Sequence, residues 1–120
     1  MQGIGVDIIT IERIKKSVSK PSFIKKVYGE KEIALFIKED KIKVNSLAAN
    51  FAAKEAFSKA LGTGIRGFEL CEVQILRDNL GKPYFEFSGK AEKIVLEKNL
   101  KCHISLSHEK DKAIAFAVIE

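Results

Sequence analysis

Several sequence features are missing from this chain of 120 residues, and each absence excludes a class of protein. No apolar run approaches the roughly 20 residues that a membrane-spanning helix requires. The N-terminal sequence MQGIGVDII lacks the basic start and the small-residue cleavage site of a secretory signal. The composition, 46% apolar and 31% charged, is typical of a globular protein rather than a disordered one. We therefore expect a cytoplasmic protein without a membrane segment, folded as one domain over residues 1–120.

Cysteine is also scarce. Cys71 and Cys102 show no CxxC spacing and are not accompanied by clustered histidines. This pattern argues against a structural zinc site. Two cysteines in a chain without a secretory signal are more often reduced core residues than a disulfide, so we expect two free thiols.

Acidic residues are absent from residues 13–29, and this segment carries six cations. The cations are Arg13, Lys15, Lys16, Lys20, Lys25 and Lys26. The rest of the chain has 15 cations against 16 acids, so the net charge of +5 comes from this one segment. A patch of one sign usually faces a partner of the opposite sign, although a solvated lysine face is the commoner explanation for a lysine-rich helix.

A nucleic-acid-binding module is one alternative for a chain with a pI near 9.2 and a basic helix. The sequence has no tryptophan and two tyrosines, which is poor for stacking on bases. Such a module would also leave the acidic candidates described below without a role, so we expect no nucleic-acid partner. A module that binds acidic proteins without catalysis is a second alternative, and it would require these acids to be missing.

Hydrophobic periodicity predicts an α+β fold, with helices packed on a largely antiparallel sheet. The predicted strands are 3–10, 72–77, 83–87, 102–107 and 113–119. The predicted helices are 11–19, a short helix before Gly29, 30–39, 46–61 and 89–98. Asn45 is the predicted N-cap of the long helix and Gly62 its end. On the first helix, a basic face lies opposite an apolar stripe; the two sets are Arg13, Lys16 and Lys20, and Ile11, Ile14 and Val18.

Asp7 breaks the pattern of the first predicted strand. One face of this strand is apolar and the other small or acidic; the two sets are Ile4, Val6 and Ile8, and Gly3, Gly5 and Asp7. Aspartate is disfavoured in strands, and burial of an isolated carboxylate costs on the order of several kcal/mol. Asp7 must therefore be paired, hydrogen-bonded or bound to a metal. From Asp7 alone, a carboxylate satisfied by a backbone N–H or a lysine is the simpler interpretation.

The long helix carries the possible partners of Asp7. Glu55 and Lys59 are four residues apart and share one face, which is also the spacing of a common surface ion pair with little energetic weight. Phe51 lies one turn earlier on the same face. An aromatic residue there indicates that the face is covered by a ligand, another subunit or another part of the chain. A covered face that keeps a carboxylate and an ammonium is a candidate functional site.

The glycine-rich segment GTGIRG at 62–67 matches the GxGxxG pattern but not its context, because a helix precedes it and a strand follows. A dinucleotide-binding fold is therefore excluded, although the loop can present backbone N–H groups to a phosphate. His103 and His108 flank a short strand, and neither belongs to a recognisable nucleophile system. A hydrogen-bonded histidine at a strand end is the favoured interpretation for His108, whereas for His103 a structural and a functional role stay equally open.

Three blocks of the sequence resemble the holo-[acyl-carrier-protein] synthase family, within the 4′-phosphopantetheinyl transferases. They are GIGVDIITIERI near the N-terminus, FAAKEAFSKALGTGI in the centre and SLSHEKDKAIAFAVIE at the C-terminus. The GKP at 81–83 falls where the family also carries it. The resemblance extends over essentially the whole chain.

The resemblance implies the α+β fold of that family and a homotrimer with an active site at each subunit interface. It implies transfer of 4′-phosphopantetheine from coenzyme A to a serine of an acidic acyl carrier protein, with release of 3′,5′-ADP, for fatty acid biosynthesis. By position, Asp7 and Glu55 match the family's Mg²⁺-binding carboxylates, and Lys59 matches the lysine beside the pyrophosphate. Arg13 matches the arginine that meets the carrier protein, which makes Lys16 and Lys20 on the same face candidates for that contact.

The resemblance also implies positions for coenzyme A. The residues implied to line its site are Gly62, Thr63, Gly64 and Pro83, with His103 near the 3′-phosphate. The sequence departs from the family at Asn50, where many members have arginine. Lys54 or a lysine from 38–43 is the expected replacement for the phosphate contact of that arginine.

The chemistry of these residue types agrees with the resemblance. Mg²⁺ typically receives one or two carboxylates from protein and completes its coordination with waters and substrate phosphates. We expect the carrier serine to attack the β-phosphate, with Glu55 or a metal-bound water helping to remove its proton. Lys59 is expected to stabilise the departing 3′,5′-ADP.

Overall fold

Antiparallel strands and five helices make up the fold. In the computed structural model, which describes residues 2–120, the helices are α1 (Ile11–Ser17), α2 (Pro21–Val27), α3 (Glu30–Phe36), α4 (Val44–Leu61) and α5 (Gly89–Glu97). The strands are β1 (Gly3–Thr10), β2 (Ile37–Lys38), β3 (Lys41–Ile42), β4 (Val73–Arg77), β5 (Pro83–Phe87), β6 (Cys102–His108) and β7 (Lys112–Ile119). The main sheet has the order β1-β7-β6, while β2-β3 and β4-β5 form separate hairpins. The predicted α+β class with antiparallel pairing is confirmed.

Small residues let α4 lie very close to the main sheet. The fully buried alanines of β7 are Ala113, Ala115 and Ala117. On β1, a Cβ at Gly3 or Gly5 would collide with the carbonyl oxygens of Ala60 and Ala56 in α4. Because alternate residues of a strand share one face, Asp7 lies in the same row as these two glycines. The close approach of β1 to α4 therefore brings the carboxylate of Asp7 to the helix.

The opposite face of the main sheet, which we call the outer face, is apolar and exposed. Val6 lies opposite Phe116, and Ile8 lies opposite Ile114, across β1 and β7. The exposed fractions are 47% for Val6 and 42% for Phe116. The apolar side of the first strand is therefore its exposed side, and the side with glycine and Asp7 packs against α4. A contiguous exposed apolar face of this kind usually marks an interaction surface.

Three predicted helix boundaries are wrong by two residues or more. α1 ends at Ser17 rather than at residue 19, so Lys20 lies at the N-cap of α2 and not on the first helix. α3 ends at Phe36 rather than near residue 39, because the chain turns into the β2-β3 hairpin, which the N–H of Lys43 closes by donating to the carbonyl oxygen of Phe36 at 2.9 Å. α4 begins at Val44 with Lys43 at the N-cap position. Asn45 therefore lies inside the first turn and does not cap the helix.

Two further features bear on the chemistry of the chain. No helix in residues 2–120 combines the length and the apolar character that crossing a bilayer requires. Cys71 and Cys102 are both half-buried free thiols. Burial raises the pKa of Cys102 to about 11, so this thiol stays protonated at neutral pH.

Candidate active site

The structure brings Asp7, Glu55 and Lys59 together, and we call these three residues the open cluster. Lys59 Nζ lies 3.1 Å from Asp7 Oδ1 and donates a second hydrogen bond, of 2.9 Å, to the carbonyl oxygen of Val6. The side chain of Asp7 is 19% exposed and that of Lys59 is 56% exposed. Lys59 therefore pairs with the carboxylate on the neighbouring strand, and not with Glu55 on its own helix.

Glu55 supplies the second carboxylate of the open cluster. Its carboxylate accepts no hydrogen bond from the residues that the structure describes. Burial raises the pKa of Glu55, and the negative charge of Asp7 raises it further, while Lys59 and Arg13 offset part of the effect. Two carboxylates and one ammonium thus share a partly desolvated space.

This donor set suits a hard divalent cation. Within residues 2–120, no group of three or more His, Cys, Asp and Glu side chains is placed to hold a metal ion by protein ligands alone. Mg²⁺ needs fewer protein ligands than that, because waters and substrate phosphates fill its remaining positions. The repulsion between Asp7 and Glu55 is what a bound cation relieves. The residues present therefore fit Mg²⁺ held jointly with a phosphate-bearing substrate.

A second charged group, on the other side of α4, is completely buried. Lys54 Nζ donates to Glu32 Oε1 at 2.7 Å and to the carbonyl oxygens of Leu70 and Val73 at 3.1 and 2.5 Å. Glu32 Oε2 accepts from Asn50 Nδ2 at 2.8 Å. Glu32, Asn50 and Lys54, each 0% exposed, form what we call the sealed cluster. The expectation that Lys54 replaces a phosphate contact is wrong, because its ammonium is buried and all three of its protons are donated.

A pocket next to the sealed cluster contains a guanidinium. Arg77 Nη2 donates to Asn50 Oδ1 at 2.8 Å, and the guanidinium lies 5.2 Å from the ring centre of Phe36. No carboxylate in the described chain forms an ion pair with Arg77. Pro83 and His108 line the same pocket. A half-buried guanidinium that forms no ion pair within residues 2–120, beside a histidine, makes this pocket a candidate anion site.

The six cations of residues 13–29, which we call the basic surface, lie on α1, α2 and the turn between them. All six are exposed, and none pairs with a carboxylate among the described residues. Phe51, on the charged side of α4, stacks on Phe23 of α2 with ring centroids 6.1 Å apart. The guanidinium carbon of Arg13 lies 5.6 Å from the ring centre of Phe51. Phe51 is therefore covered by another part of its own chain, Phe23 and Arg13, rather than by a ligand or another subunit.

Comparison with known proteins assigns the family. Residues 3–118 match the model of the 4′-phosphopantetheinyl transferase superfamily. A holo-[acyl-carrier-protein] synthase of Clostridium botulinum is 50% identical, over 100% of this chain and 98% of the relative. The crystal structure of the holo-[acyl-carrier-protein] synthase from Neisseria meningitidis aligns with a TM-score of 0.90 and 38% identity, over 100% of this chain and 98% of that one.

The chain belongs to the 4′-phosphopantetheinyl transferase superfamily. The resemblance of the three sequence blocks to holo-[acyl-carrier-protein] synthases is thereby confirmed. A superfamily member from Helicobacter pylori was solved in complex with coenzyme A. It aligns with a TM-score of 0.83 and 31% identity, over 98% of this chain and 99% of that one.

The residues expected to line the coenzyme A site in this superfamily are not all together in one chain. The Gly62–Gly64 loop follows directly on the last turn of α4, with left-handed φ values of 82° and 68° at its two glycines and with Thr63 exposed. Pro83 lies in the pocket of Arg77. His103 is near the other end of β6, exposed, with Nε2 2.5 Å from Glu120 Oε2. The structure therefore does not bring His103 to Pro83 within one chain.

Sequence reasoning missed two residues of that pocket. The sequence pattern favours a structural role for His108 at a strand end, yet His108 shares the pocket with Pro83. Arg77 was not singled out, although it is the one charged residue of β4 and lies just before the turn that leads to GKP. A cation at the end of an otherwise buried strand was the signal that could have pointed to it.

Proposed function

We propose that this chain transfers 4′-phosphopantetheine from coenzyme A to a serine of an apo acyl carrier protein and releases 3′,5′-ADP. The open cluster is the observation that carries the proposal, because it supplies two carboxylates for a cation and one lysine for a phosphate in a superfamily with this chemistry. The reaction belongs to fatty acid biosynthesis in the cytoplasm, in one transferase domain spanning residues 1–120.

Asp7 and Glu55 hold Mg²⁺ in this proposal. When bound, the ion neutralises the pyrophosphate and the charge that develops on the departing phosphate. The carrier serine oxygen forms a bond to the β-phosphorus while the bond from that phosphorus to the bridging oxygen breaks. Glu55, whose carboxylate accepts no hydrogen bond from the described residues, takes the serine proton. Lys59 donates to the leaving oxygen with its third proton, since described acceptors occupy the other two.

The pocket of Arg77 binds the nucleotide end of coenzyme A. Arg77 donates to Asn50, where the resemblance to holo-[acyl-carrier-protein] synthases implies an arginine in many members, so this pair returns a guanidinium to that region of the site. Pro83 and His108 line the pocket beside it. We expect Arg77→Met to raise the KM for coenzyme A several-fold and to leave the KM for the carrier protein unchanged. An unchanged KM for coenzyme A would remove Arg77 from the site.

The carrier protein binds the basic surface, and its acidic character is part of the proposal. Arg13 and Lys16 lie on α1 and Lys20 lies in the turn that follows it. All three are exposed, and none forms an ion pair with a carboxylate among residues 2–120. Charge complementarity of this kind mainly accelerates association and orients the partner. Such contacts weaken with added salt, because the charges are exposed.

A homotrimer is the expected assembly, and the outer face supports it. Its largest exposed apolar residues on β1 are Ile4, Val6 and Ile8, and on β7 they are Ile114 and Phe116. Covering this face with further copies of the chain removes apolar area from water. Phe51, by contrast, is covered within its own chain and gives no support for an interface. An interfacial site would also allow a partner copy to complete the coenzyme A pocket.

Sedimentation tests the assembly. The wild type should sediment at about three times the 13.4 kDa mass of one chain. Phe116→Lys should dissociate the assembly, because a charge in the centre of the outer face opposes its burial. Leu96→Lys is the matched control, since Leu96 is 71% exposed on α5, outside the main sheet. A fully active wild-type monomer at micromolar concentration would exclude an interfacial site.

Intact-mass measurement tests the reaction. The chain is incubated with coenzyme A, Mg²⁺ and an apo acyl carrier protein, and the carrier should gain the mass of one phosphopantetheine. Omission of Mg²⁺ in the presence of EDTA should stop the transfer. An unmodified carrier under all conditions would overturn the proposed function, and transfer without any divalent cation would overturn the metal assignment alone.

A further inference from the structure

Phe51 occupies an unusual place for an aromatic residue. It lies one turn before Glu55 on the charged side of α4, yet it is 7% exposed. One face of its ring stacks on Phe23 with an interplanar angle of 26°. The guanidinium of Arg13 also lies against the ring, 5.6 Å from its centre. Phe51 therefore joins the core to one exposed cation of the basic surface.

Phe23 is itself restrained by a second aromatic residue, Tyr28. Its ring makes an edge contact with Tyr28 at 6.2 Å, and the Tyr28 hydroxyl donates to the carbonyl oxygen of Leu47 in α4 at 2.7 Å. The rings of Phe51, Phe23 and Tyr28 thus contact one another in a row, and the Tyr28 hydroxyl fixes the far end of the row to α4. Phe51 is the ring in this row that contacts the guanidinium of Arg13.

Arg13 has no other directional restraint among the described residues. Its guanidinium forms no ion pair and donates no hydrogen bond within residues 2–120. An exposed arginine side chain otherwise samples many rotamers, and fixing it on binding costs conformational entropy. A ring face attracts a guanidinium and limits this freedom. Arg13 meets the ring of Phe51 one turn of α4 before Glu55, so this position is adjacent to the open cluster.

We propose that Phe51 is a positioning residue for Arg13. Its ring face, backed by Phe23, pre-orients the guanidinium next to Glu55, in the direction from which an acidic carrier protein presents its serine. The inference rests on the proposed function, because it requires that Arg13 contacts the carrier. It adds a role that Phe51 would not have as a core residue alone, namely to lower the entropic cost of carrier binding.

The single-variant test separates positioning from packing. Phe51→Leu keeps an apolar side chain but removes the ring face, and it should raise the KM for the carrier about two- to fivefold while the KM for coenzyme A stays unchanged. Phe57→Leu is the matched control, because Phe57 is also a buried aromatic of α4 and packs on Phe68, Phe85 and Phe87, away from Arg13. Phe51→Tyr keeps the ring face and should retain the wild-type KM.

A double-mutant cycle decides the mechanism. In an Arg13→Ala background, Phe51→Leu should have no further effect on the KM for the carrier. Additive effects would mean that Phe51 acts independently of Arg13, and the inference would be overturned. If Phe51→Leu does not fold, Phe23→Leu, which removes the backing ring from a half-exposed position, should raise the same KM by a smaller factor; no change would equally overturn it. A wild type without transfer activity, in contrast, would refute the proposed function itself.

Discussion

Each of the two charged clusters at α4 contains a lysine paired with a carboxylate, and the clusters differ in how fully their polar groups are hydrogen-bonded. In the sealed cluster, the Glu32 carboxylate accepts from Lys54, Asn50 and the N–H groups of Gly29 and Ile75. In the open cluster, Glu55 accepts nothing from the described residues and Lys59 keeps a free proton. Adjacent positions of one helix, 54 and 55, therefore have opposite environments.

This contrast separates stability from function on physical grounds. A buried ion pair is tolerated only when further hydrogen bonds satisfy its remaining lone pairs and protons, and the sealed cluster meets this condition. Unsatisfied carboxylates that repel each other destabilise a fold, so a chain retains them where a ligand completes them. The sealed cluster links α3, α4 and β4, whereas the open cluster is left for a cation and a phosphate.

The largest effect should come from removing an acid of the open cluster. Asp7→Ala and Glu55→Ala should each abolish transfer, a loss of at least roughly a hundred- to a thousandfold in kcat/KM, because each removes a group that stabilises developing charge. The fold should persist, which circular dichroism and thermal unfolding measure on the same samples. Near-wild-type turnover by either variant at ordinary Mg²⁺ concentrations would contradict the assignment of the site.

The reverse pattern should hold for the sealed cluster. Lys54→Met leaves the Glu32 carboxylate buried without its cation, and it should lower the free energy of unfolding by about 3–5 kcal/mol. Lys59→Met, the same substitution in the open cluster, should lower it by less than about 1 kcal/mol, because the Lys59 ammonium is more than half exposed and Asp7 keeps access to water. Urea denaturation of both variants measures the difference. Equal losses would mean that the two clusters do not divide stability and function as described.

The open cluster could be predicted from sequence because its signals are local. Asp7 is an acid in an apolar strand, and the i,i+4 spacing of Glu55 and Lys59 puts both on one face of a helix. The fold class followed from periodicity for the same reason. The sealed cluster could not be predicted, since Lys54 next to Glu55 has the sequence pattern of a surface residue. Its burial depends on Glu32, which is 22 residues away.

Other features escaped prediction because they depend on tertiary structure or are very short. The β2-β3 hairpin has two residues in each strand, too few for a periodic signal, and the helical pattern that begins at residue 30 continues into its first strand. The grouping of Arg77 with Pro83 and His108 requires the ends of β4, β5 and β6 to meet. The covering of Phe51 by Phe23 and Arg13 likewise depends on how α1 and α2 pack on α4.

The smallest predicted effect concerns the pH dependence of stability. Burial and the charge of Asp7 raise the pKa of Glu55 in the folded state above its ordinary value near 4.5. The folded state then binds this proton more tightly than the unfolded state, so the stabilising contribution of Glu55 is complete below about pH 4.5 and is lost as the pH rises through the folded pKa.

Glu55→Gln tests this prediction, because the glutamine side chain stays neutral at every pH. In EDTA at pH 7, this variant should therefore unfold with a higher free energy than the wild type, by less than about 1 kcal/mol because Glu55 is partly exposed. The difference should vanish below pH 4.5, and added Mg²⁺ at pH 7 should stabilise the wild type but not the variant. A variant less stable than the wild type in EDTA at pH 7 would mean that groups of the free protein already stabilise the charged Glu55 carboxylate. The open cluster would then not be left for a cation.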